Sequence, residues 1–506
     1  MAQTFEGNWW PQTPVWACLL LALIWCGCGR PANEVAADLV KSGELKRAAN
    51  DPAGAAADFT QAIAADPKSA AAYYDRGMLR AQQQDWDGAG ADFTHVVELQ
   101  PDNAKAFSLR GAARQNKGDL PGALADYSKV IELKADSATV RRLRAEAREA
   151  SGDWDGAIAD LERAASLDPK VVSPAEVLKL YAERAKALIA AGDLDGAMAI
   201  YAKAGGPGAL PDLIITLSQA LAQRGDQRRL GGNPTGAISD FSKSLAIFPE
   251  EWTAYSLRAE TKRAQGDDAG AIEDYTVVLE HDPGSIIYNN RALAEMSLND
   301  FPAALTDLNQ ALTLNGTYTG ALENRSNAKR ATGDLAGALE DAERVQALNS
   351  SRPGGYLYRN IVRQMQGDFA GALADCNRYL ELDAAGAYDA RFYVYLLSRR
   401  LGRDPMAAGL AQSVPTWKDG WRKTIGRYLL GEVKEADLFT AAGQFDLHPV
   451  PEQQSEAYYF AGMVHLLDND PQAAKDLLAK AVATGAKDSP TYSLAEAELG
   501  RLDKKE

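Results

Sequence analysis

An alanine returns at a nearly constant interval through most of this 506-residue chain. Ala55, Ala89, Ala123, Ala157, Ala197, Ala237, Ala271, Ala304, Ala338 and Ala372 are separated by 34, 34, 34, 40, 40, 34, 33, 34 and 34 residues. A fixed period of this length implies supersecondary units that cannot bury their apolar faces alone and must stack on their neighbours. Two six-residue insertions fall near 172–177 and 212–217, and Ala474 resumes the frame three periods after Ala372.

The residues before each alanine say what the unit is. Five positions earlier stands Gly118, Gly152, Gly192, Gly232, Gly266, Gly333 or Gly367, with Asn50 and Asn299 as substitutes. Both residue types accept the left-handed conformation in which helices commonly end. An Asp follows (Asp51, Asp85, Asp119, Asp153, Asp193, Asp267, Asp300, Asp334, Asp368), suited to cap the next helix, and Pro52, Pro121, Pro234 and Pro302 suit its first turn. The recurring hexapeptide "GDLDGA" (192–197) is therefore a stop, a cap and a start. It predicts paired helices.

Within a pair, the first helix carries a small residue twelve positions before the alanine (Gly43, Gly77, Gly111, Ala145, Ala185, Gly225, Ala259, Ala292, Ser326). Small residues on facing helices let two axes approach closely. Tyr73, Phe107, Tyr181, Tyr255, Tyr288 and Tyr356 supply bulk in the first helix, and Phe59, Phe93, Tyr127, Phe241 and Tyr275 in the second. Arg76, Arg110, Arg144, Arg184, Arg224, Arg258, Arg291, Arg325 and Arg359 recur at one first-helix position. Sixteen residues later comes Asp92, Asp126, Asp160, Asp240, Asp274, Asp307, Asp341 or Asp375, with Ile200 after Arg184 as the exception. These spacings predict an ion pair inside each unit, in preference to an arginine ladder that grips an acidic ligand.

On these positions the chain resembles the tetratricopeptide repeat family. The resemblance implies an all-α solenoid, a right-handed superhelix of stacked helix-turn-helix units, with ten repeats over 36–384. Repeat proteins that clamp chaperone C-termini present a consistent Lys and Asn set in the groove. The corresponding positions here mix Tyr74, Lys105, Ser108, Arg142, Glu146, Lys186, Glu260, Asn289, Asn290, Glu323 and Asn327, so such a clamp is not expected.

Beyond the repeats, 385–454 reads as a degenerate helical region, including one helix pair over 387–413. The stretch 455–506 reads as a repeat-like cap with Gly462, Asp470 and Ala474 in the frame. "EAYYFAG", "LLDND", "LLAKAVATGAKD" and "AEAELGRL", preceded by "IGRYLLG", are similar to the C-terminal part of bacterial envelope lipoproteins of the new-lipoprotein-I type. That likeness implies a non-enzymatic adaptor of the cell envelope, with envelope enzymes or assembly components as partners.

The N-terminus is consistent with export. An apolar run from Val15 to Trp25 is too short to span a bilayer as a helix, which takes about 20 residues, and suits the core of a signal segment over 1–28. Gly27 before Cys28 resembles a lipoprotein processing site, which implies a lipid anchor on Cys28, periplasm-facing. Ordinary cleavage, an uncleaved anchor and a cytosolic protein with an apolar N-terminus are the alternatives.

Other functions find little support. A net charge of -15 argues against nucleic acid, whose phosphates need a concentrated basic surface. No phosphate loop, zinc-protease, CxxC or nucleophile-elbow motif occurs, and His95, His281, His448 and His465 are scattered. No catalytic residue, cofactor or metal is expected. Cys376 replaces an aromatic in the frame and reads as a small core residue.

Overall fold

The computed structural model describes residues 30–133, 136–383, 388–404, 409–444 and 450–504; Cys28, the apolar run before it and His448 lie outside them. All regular structure among the described residues is helical. The chain divides into two compact units, Met1–Leu213 and Ile214–Glu506. The first holds α1 (Ala32–Ala48), α2 (Pro52–Ala65), α3 (Ala70–Gln82), α4 (Trp86–Leu99), α5 (Ala104–Lys117), α6 (Leu120–Glu132), α7 (Ala138–Ser151), α8 (Trp154–Leu167), α9 (Pro174–Ala190) and α10 (Leu194–Lys203).

The second begins in the first turn of α11 (Pro211–Leu230) and continues through α12 (Pro234–Ile247), α13 (Trp252–Ala264), α14 (Asp268–His281), α15 (Ser285–Ser297), α16 (Phe301–Leu314), α17 (Thr319–Ala331), α18 (Leu335–Leu348), α19 (Pro353–Gln366) and α20 (Phe369–Leu382). Odd-numbered helices are the first of a pair and even-numbered ones the second. After them come α21 (Tyr388–Arg400), the four-residue α22 (Leu410–Ser413), α23 (Trp421–Leu429), α24 (Glu435–Ala441), α25 (Val450–Leu467), α26 (Pro471–Ala483) and α27 (Pro490–Asp503). The helix pair expected over 387–413 is thus one helix and a single turn. The insertion near 172–177 lengthens a first helix, since α9 has 17 residues and begins on a capping box of Ser173 and Glu176.

The turn between paired helices follows its chemistry closely. Gly118, Gly152 and Gly367 end their helices at φ of 90°, 83° and 87°, and the adjacent Asp side chain accepts from the backbone N–H three residues on. The fifth letter of the hexapeptide has its own cause: a Cβ on Gly122 or Gly371 would lie within 2.2 Å of that carboxylate. Where alanine occupies this place, at Ala303 and Ala473, the capping bond lengthens to 3.2 Å from the 2.9 Å seen at Gly371. In the second repeat Gln84 takes the glycine position and is held at φ 63°. That conformation crowds Cβ against the backbone.

All ten framing alanines are fully buried, at 0% exposure. The small first-helix residue does more than let the axes approach, because it receives the ring of the second helix. A Cβ on Gly43, Gly77, Gly111 or Gly225 would stand 2.6–2.9 Å from Phe59, Phe93, Tyr127 or Phe241. Those four rings are fully buried, each contributing about 1.5–3 kcal/mol by leaving water. Within each unit every second helix also packs on the first helix of the following repeat. First helices touch their counterparts in the next repeat, as in α1 with α3, α5 with α7, α13 with α15, α15 with α17 and α17 with α19. Second helices do not approach one another so closely, so first helices line the inner side of each stack.

Two substitutions test this packing by chemical denaturation. Ala271→Phe should cost about 1–3 kcal/mol by overpacking α13 against α14, and an unchanged midpoint would contradict the frame. Gln84→Gly should stabilise by about 1 kcal/mol by relieving the left-handed glutamine; a loss of stability would show that the glutamine side chain matters more than its backbone.

Candidate functional site

Charged side chains that recur on every repeat are the first place to seek a ligand. The recurring arginine proves to be internal. In eight repeats its Nε and Nη2 donate to the two oxygens of the Asp sixteen residues on, with closest N···O distances of 2.6–2.7 Å. Those carboxylates are 0–4% exposed. A second cation, one turn after the arginine, grips the same Asp: Arg80, Arg114, Arg148, Arg228, Lys262, Lys329 and Arg363 lie 2.7–2.9 Å away. It also donates to a backbone carbonyl in the second helix, as Arg148 does to Gly156 at 3.0 Å.

The first arginine reaches outward too. Arg144, Arg258 and Arg325 donate through Nη1 to Ser128, Ser242 and Asn309 on the second helix of the preceding repeat. Its plane lies over the aromatic ring three residues earlier, 5.2 Å from Phe107 at Arg110 and 5.4 Å from Tyr255 at Arg258. Arg144, Arg258 and Arg325 therefore close their own helix pairs and join them to the preceding repeat, and all eight arginines are committed to an internal aspartate, which removes them from the ligand-binding groups.

Three repeats break the pattern. The first has Ser42 in the arginine's place, donating to Asp58 at 2.7 Å, with Lys46 as the second cation at 2.7 Å. Arg184 has Ile200 where the Asp should be; its buried Nε has no hydrogen-bond partner among the described residues, and its guanidinium lies 5.9 Å over Trp154 instead. In the eighth repeat the second cation is replaced by Glu295, which is 8% exposed and 3.9 Å from Arg291. Burial, with Asp307 beside it, pushes the Glu295 carboxyl up to about 7. The sign follows: the folded chain keeps this proton to about pH 7, whereas the unfolded chain releases it near 4.5. Its contribution to stability therefore falls as pH rises across that window.

The inner face is where side chains remain available. In the first unit Lys105, Arg142, Glu146 and Lys186 are exposed on α5, α7 and α9. A cleft of about 200 Å³ between α7 and α9 is bordered by Glu146, Glu149, Glu176 and Glu183, with Arg142 and Lys179 as its cations. The surface is mixed in charge and leans acidic. Lys105 lies 5.2 Å over the Tyr74 ring on the neighbouring first helix.

In the second unit the inner positions are progressively occupied by the chain itself. Asn324 donates to Asn289 at 2.8 Å, joining α17 to α15. Arg352 makes a two-pronged pair with Glu323 at 2.6 and 2.7 Å. Asn327 donates to Asp488 at 2.8 Å, across 161 residues of sequence. Arg330, 3% exposed, donates to Asn327, to the Asp488 carbonyl and to Ser493 of α27. Farther along α27, Arg501 donates to the Gln364 and Met365 carbonyls at the end of α19, and Glu498 accepts from Arg400. The C-terminal helix thus closes the inner face of the ninth and tenth repeats.

The remaining sequence candidates are structural. Cys376 is 1% exposed in the core around Phe392 and Phe460, and burial raises its thiol pKa. His95 packs at a tilt against Tyr73, His281 stacks on Trp252, and His465 meets Glu435 at 2.8 Å. Among the described residues no group of three or more His, Cys, Asp and Glu is arranged to hold a metal, and no helix is long and apolar enough to cross a membrane.

The tetratricopeptide repeat family model matches residues 40–104 and 109–172. These stretches are tetratricopeptide repeats. The remaining pairs continue their caps, buried alanines and charge clamps, and the fold is a solenoid of such units. Tetratricopeptide repeat protein 36 of Homo sapiens is 39% identical over 70 residues, 14% of this chain and 37% of that protein. The Xenopus tropicalis protein of the same name is 31% identical over 97 residues, 19% of this chain and 48% of that one. The chain thus spans less than half the length of these curated relatives. A solved tetratricopeptide repeat protein from Parabacteroides merdae is 17% identical, with a TM-score of 0.38, covering 55% of this chain and 98% of that one.

The anomalous glutamate gives a direct test of the clamp. The stability of Glu295→Gln relative to the native chain should grow from near zero below pH 4.5 to about 1–3 kcal/mol above pH 7, read by denaturation across pH. A difference independent of pH would contradict the buried, proton-holding site.

Proposed function

We propose that this protein is a non-enzymatic interaction scaffold that receives segments of partner proteins on the inner face of its first unit. The observation that carries this reading is the division of charge. The periodic Arg and Asp residues are spent inside the repeats, whereas Lys105, Arg142, Glu146 and Lys186 stand exposed on adjoining first helices. A stacked, exposed helical face of mixed charge suits a helix or extended segment of another protein, read by alternating charged and apolar contacts. The cleft between α7 and α9, with four glutamates to two cations, favours segments carrying basic residues.

The setting we propose is the bacterial cell envelope. Support comes from the apolar run Val15–Trp25 and from Gly27–Cys28, which together resemble a lipoprotein signal, and from the C-terminal likeness to envelope lipoproteins. Cys28 would carry the anchor, and envelope enzymes would be the partners. A component of a secretion or surface apparatus is the second reading, favoured by the length of the repeat array, which offers room for several partners at once.

A photocrosslinking residue at Lys186 of the full-length protein, compared with one at Thr94 on a second helix, tests the face. Crosslinks to a defined partner should form from Lys186 and be weakened by Glu146→Lys with Glu183→Lys, at unchanged thermal stability. Equal crosslinking from both positions, or insensitivity to those reversals, would overturn the inner-face assignment. Cys28→Ala should release the protein from membrane fractions; continued retention would contradict a lipid anchor at Cys28.

A further inference from the structure

One buried cation of the second unit lacks a counter-ion. Arg330 on α17 is 3% exposed, and its acceptors are the Asn327 side-chain oxygen at 2.6 Å, the Asp488 backbone carbonyl at 2.9 Å and the Ser493 hydroxyl. All three are neutral. The Asp488 carboxylate accepts from Asn327 instead, at 2.8 Å, and among the described residues no carboxylate forms an ion pair with Arg330. Burying a guanidinium without a carboxylate is unfavourable, and burial lowers the Arg330 pKa to about 10. The recurring arginine of the same helix, Arg325, does meet its own aspartate.

Arg330 is covered by α27 and by the turn at Asp488 before it. The bonds from α27 to α17 and to the end of α19 are polar: Arg330 donates to Ser493, and Arg501 donates to the Gln364 and Met365 carbonyls at 2.5 and 2.7 Å. A second cation lies under the same helix, Arg400 of α21, which pairs with Glu498 at 2.5 and 2.9 Å and lies 3.9 Å over the Phe369 ring. Glu498 also serves Arg501 of its own helix, at 2.5 Å. Thus α27 brings one buried carboxylate to a surface that holds two buried cations, and a serine stands where the second carboxylate belongs. The docking is incomplete at its start, where a cleft of about 280 Å³ opens beside Asn327, Asp488 and Thr491.

We infer that the surface covered by α27 is a binding site for an acidic helical segment of a partner protein, and that α27 is its resident competitor. A partner helix with carboxylates at the places of both Ser493 and Glu498 meets Arg330 and Arg400 together, where α27 offers a carboxylate to Arg400 alone. A charge-assisted bond to a guanidinium is shorter and about twice as strong as the neutral bond it replaces, so the exchange favours the partner at this point. A helix is the form that fits, because α27 shows one seated there, and the mode is a helix laid in a groove. The charge preference is opposite to that of the first unit, whose cleft leans acidic. The two surfaces are independent.

Fluorescein-labelled, amidated peptides of residues 488–503, native and with Ser493→Asp, titrated into the full-length protein by fluorescence anisotropy test this. The Ser493→Asp peptide should bind with a Kd below about 1 mM and at least about tenfold more tightly than the native peptide, and hydrogen exchange in the protein's own α27 should rise as it binds. The same Ser493→Asp change made in the protein should close the site, weakening peptide binding at least about tenfold and raising the thermal midpoint. Arg330→Gln should remove the preference between the two peptides; if that variant does not fold, the Ser493→Asp protein keeps the test valid. Equal binding of the two peptides, no binding of either at millimolar concentration, or binding that leaves exchange in α27 unchanged would overturn the site.

Discussion

A buried aspartate held by two cations is the interaction on which the repeats depend. Bringing a carboxylate to 0–4% exposure is unfavourable unless its lone pairs are met, and here they are met by the fork of one arginine and by a second cation a turn away. The consequence is geometric more than energetic. Desolvation offsets much of the attraction, but a two-pronged arginine accepts only one relative placement of the two helices. Because Nη1 then reaches the preceding second helix, the same group sets the spacing between repeats. Packing fills the space that this register defines, with a ring opposite each glycine and an alanine at each closest approach.

Departures from the pattern are informative. Arg184 without its aspartate turns to the face of Trp154, so the fifth repeat relies on packing where the others rely on charge. Glu295 places a second acid beside Asp307 where eight repeats place a cation, and the site holds a proton in compensation. Near the C-terminus the inner face is surrendered to the chain itself. Arg330 and Arg501 draw α27 against the ninth and tenth repeats, and the price of that closure is a polar cleft at its edge.

Much of this was legible in the sequence, because the interactions are local and repeated. The cap, the left-handed glycine and the pairing of Arg258 with Asp274 all follow from fixed spacing. The second cation was missed although its signal was present, in the Arg or Lys that recurs four residues after the first arginine. The glycine at the fifth letter of the hexapeptide was visible but unexplained until its distance from the capping carboxylate was known. Gln84 gave no warning, since nothing in a glutamine announces a positive φ. The docking of α27 lay beyond reach for a different reason: Asn327 and Asp488 are 161 residues apart and belong to no shared frame. The polar cleft at the edge of that closure, drawn from six separate segments, was hidden for the same reason.

The most direct measurement is a double-mutant cycle on Arg258→Met and Asp274→Leu, followed by denaturation together with hydrogen exchange across α13 and α14. If the clamp sets the register, each single change should be strongly destabilising, the pair should couple by about 1–3 kcal/mol, and loss of protection should extend into α12 through the lost bond to Ser242. Additive effects, with protection lost only at the mutated residues, would contradict it and leave packing alone to hold the repeats in place.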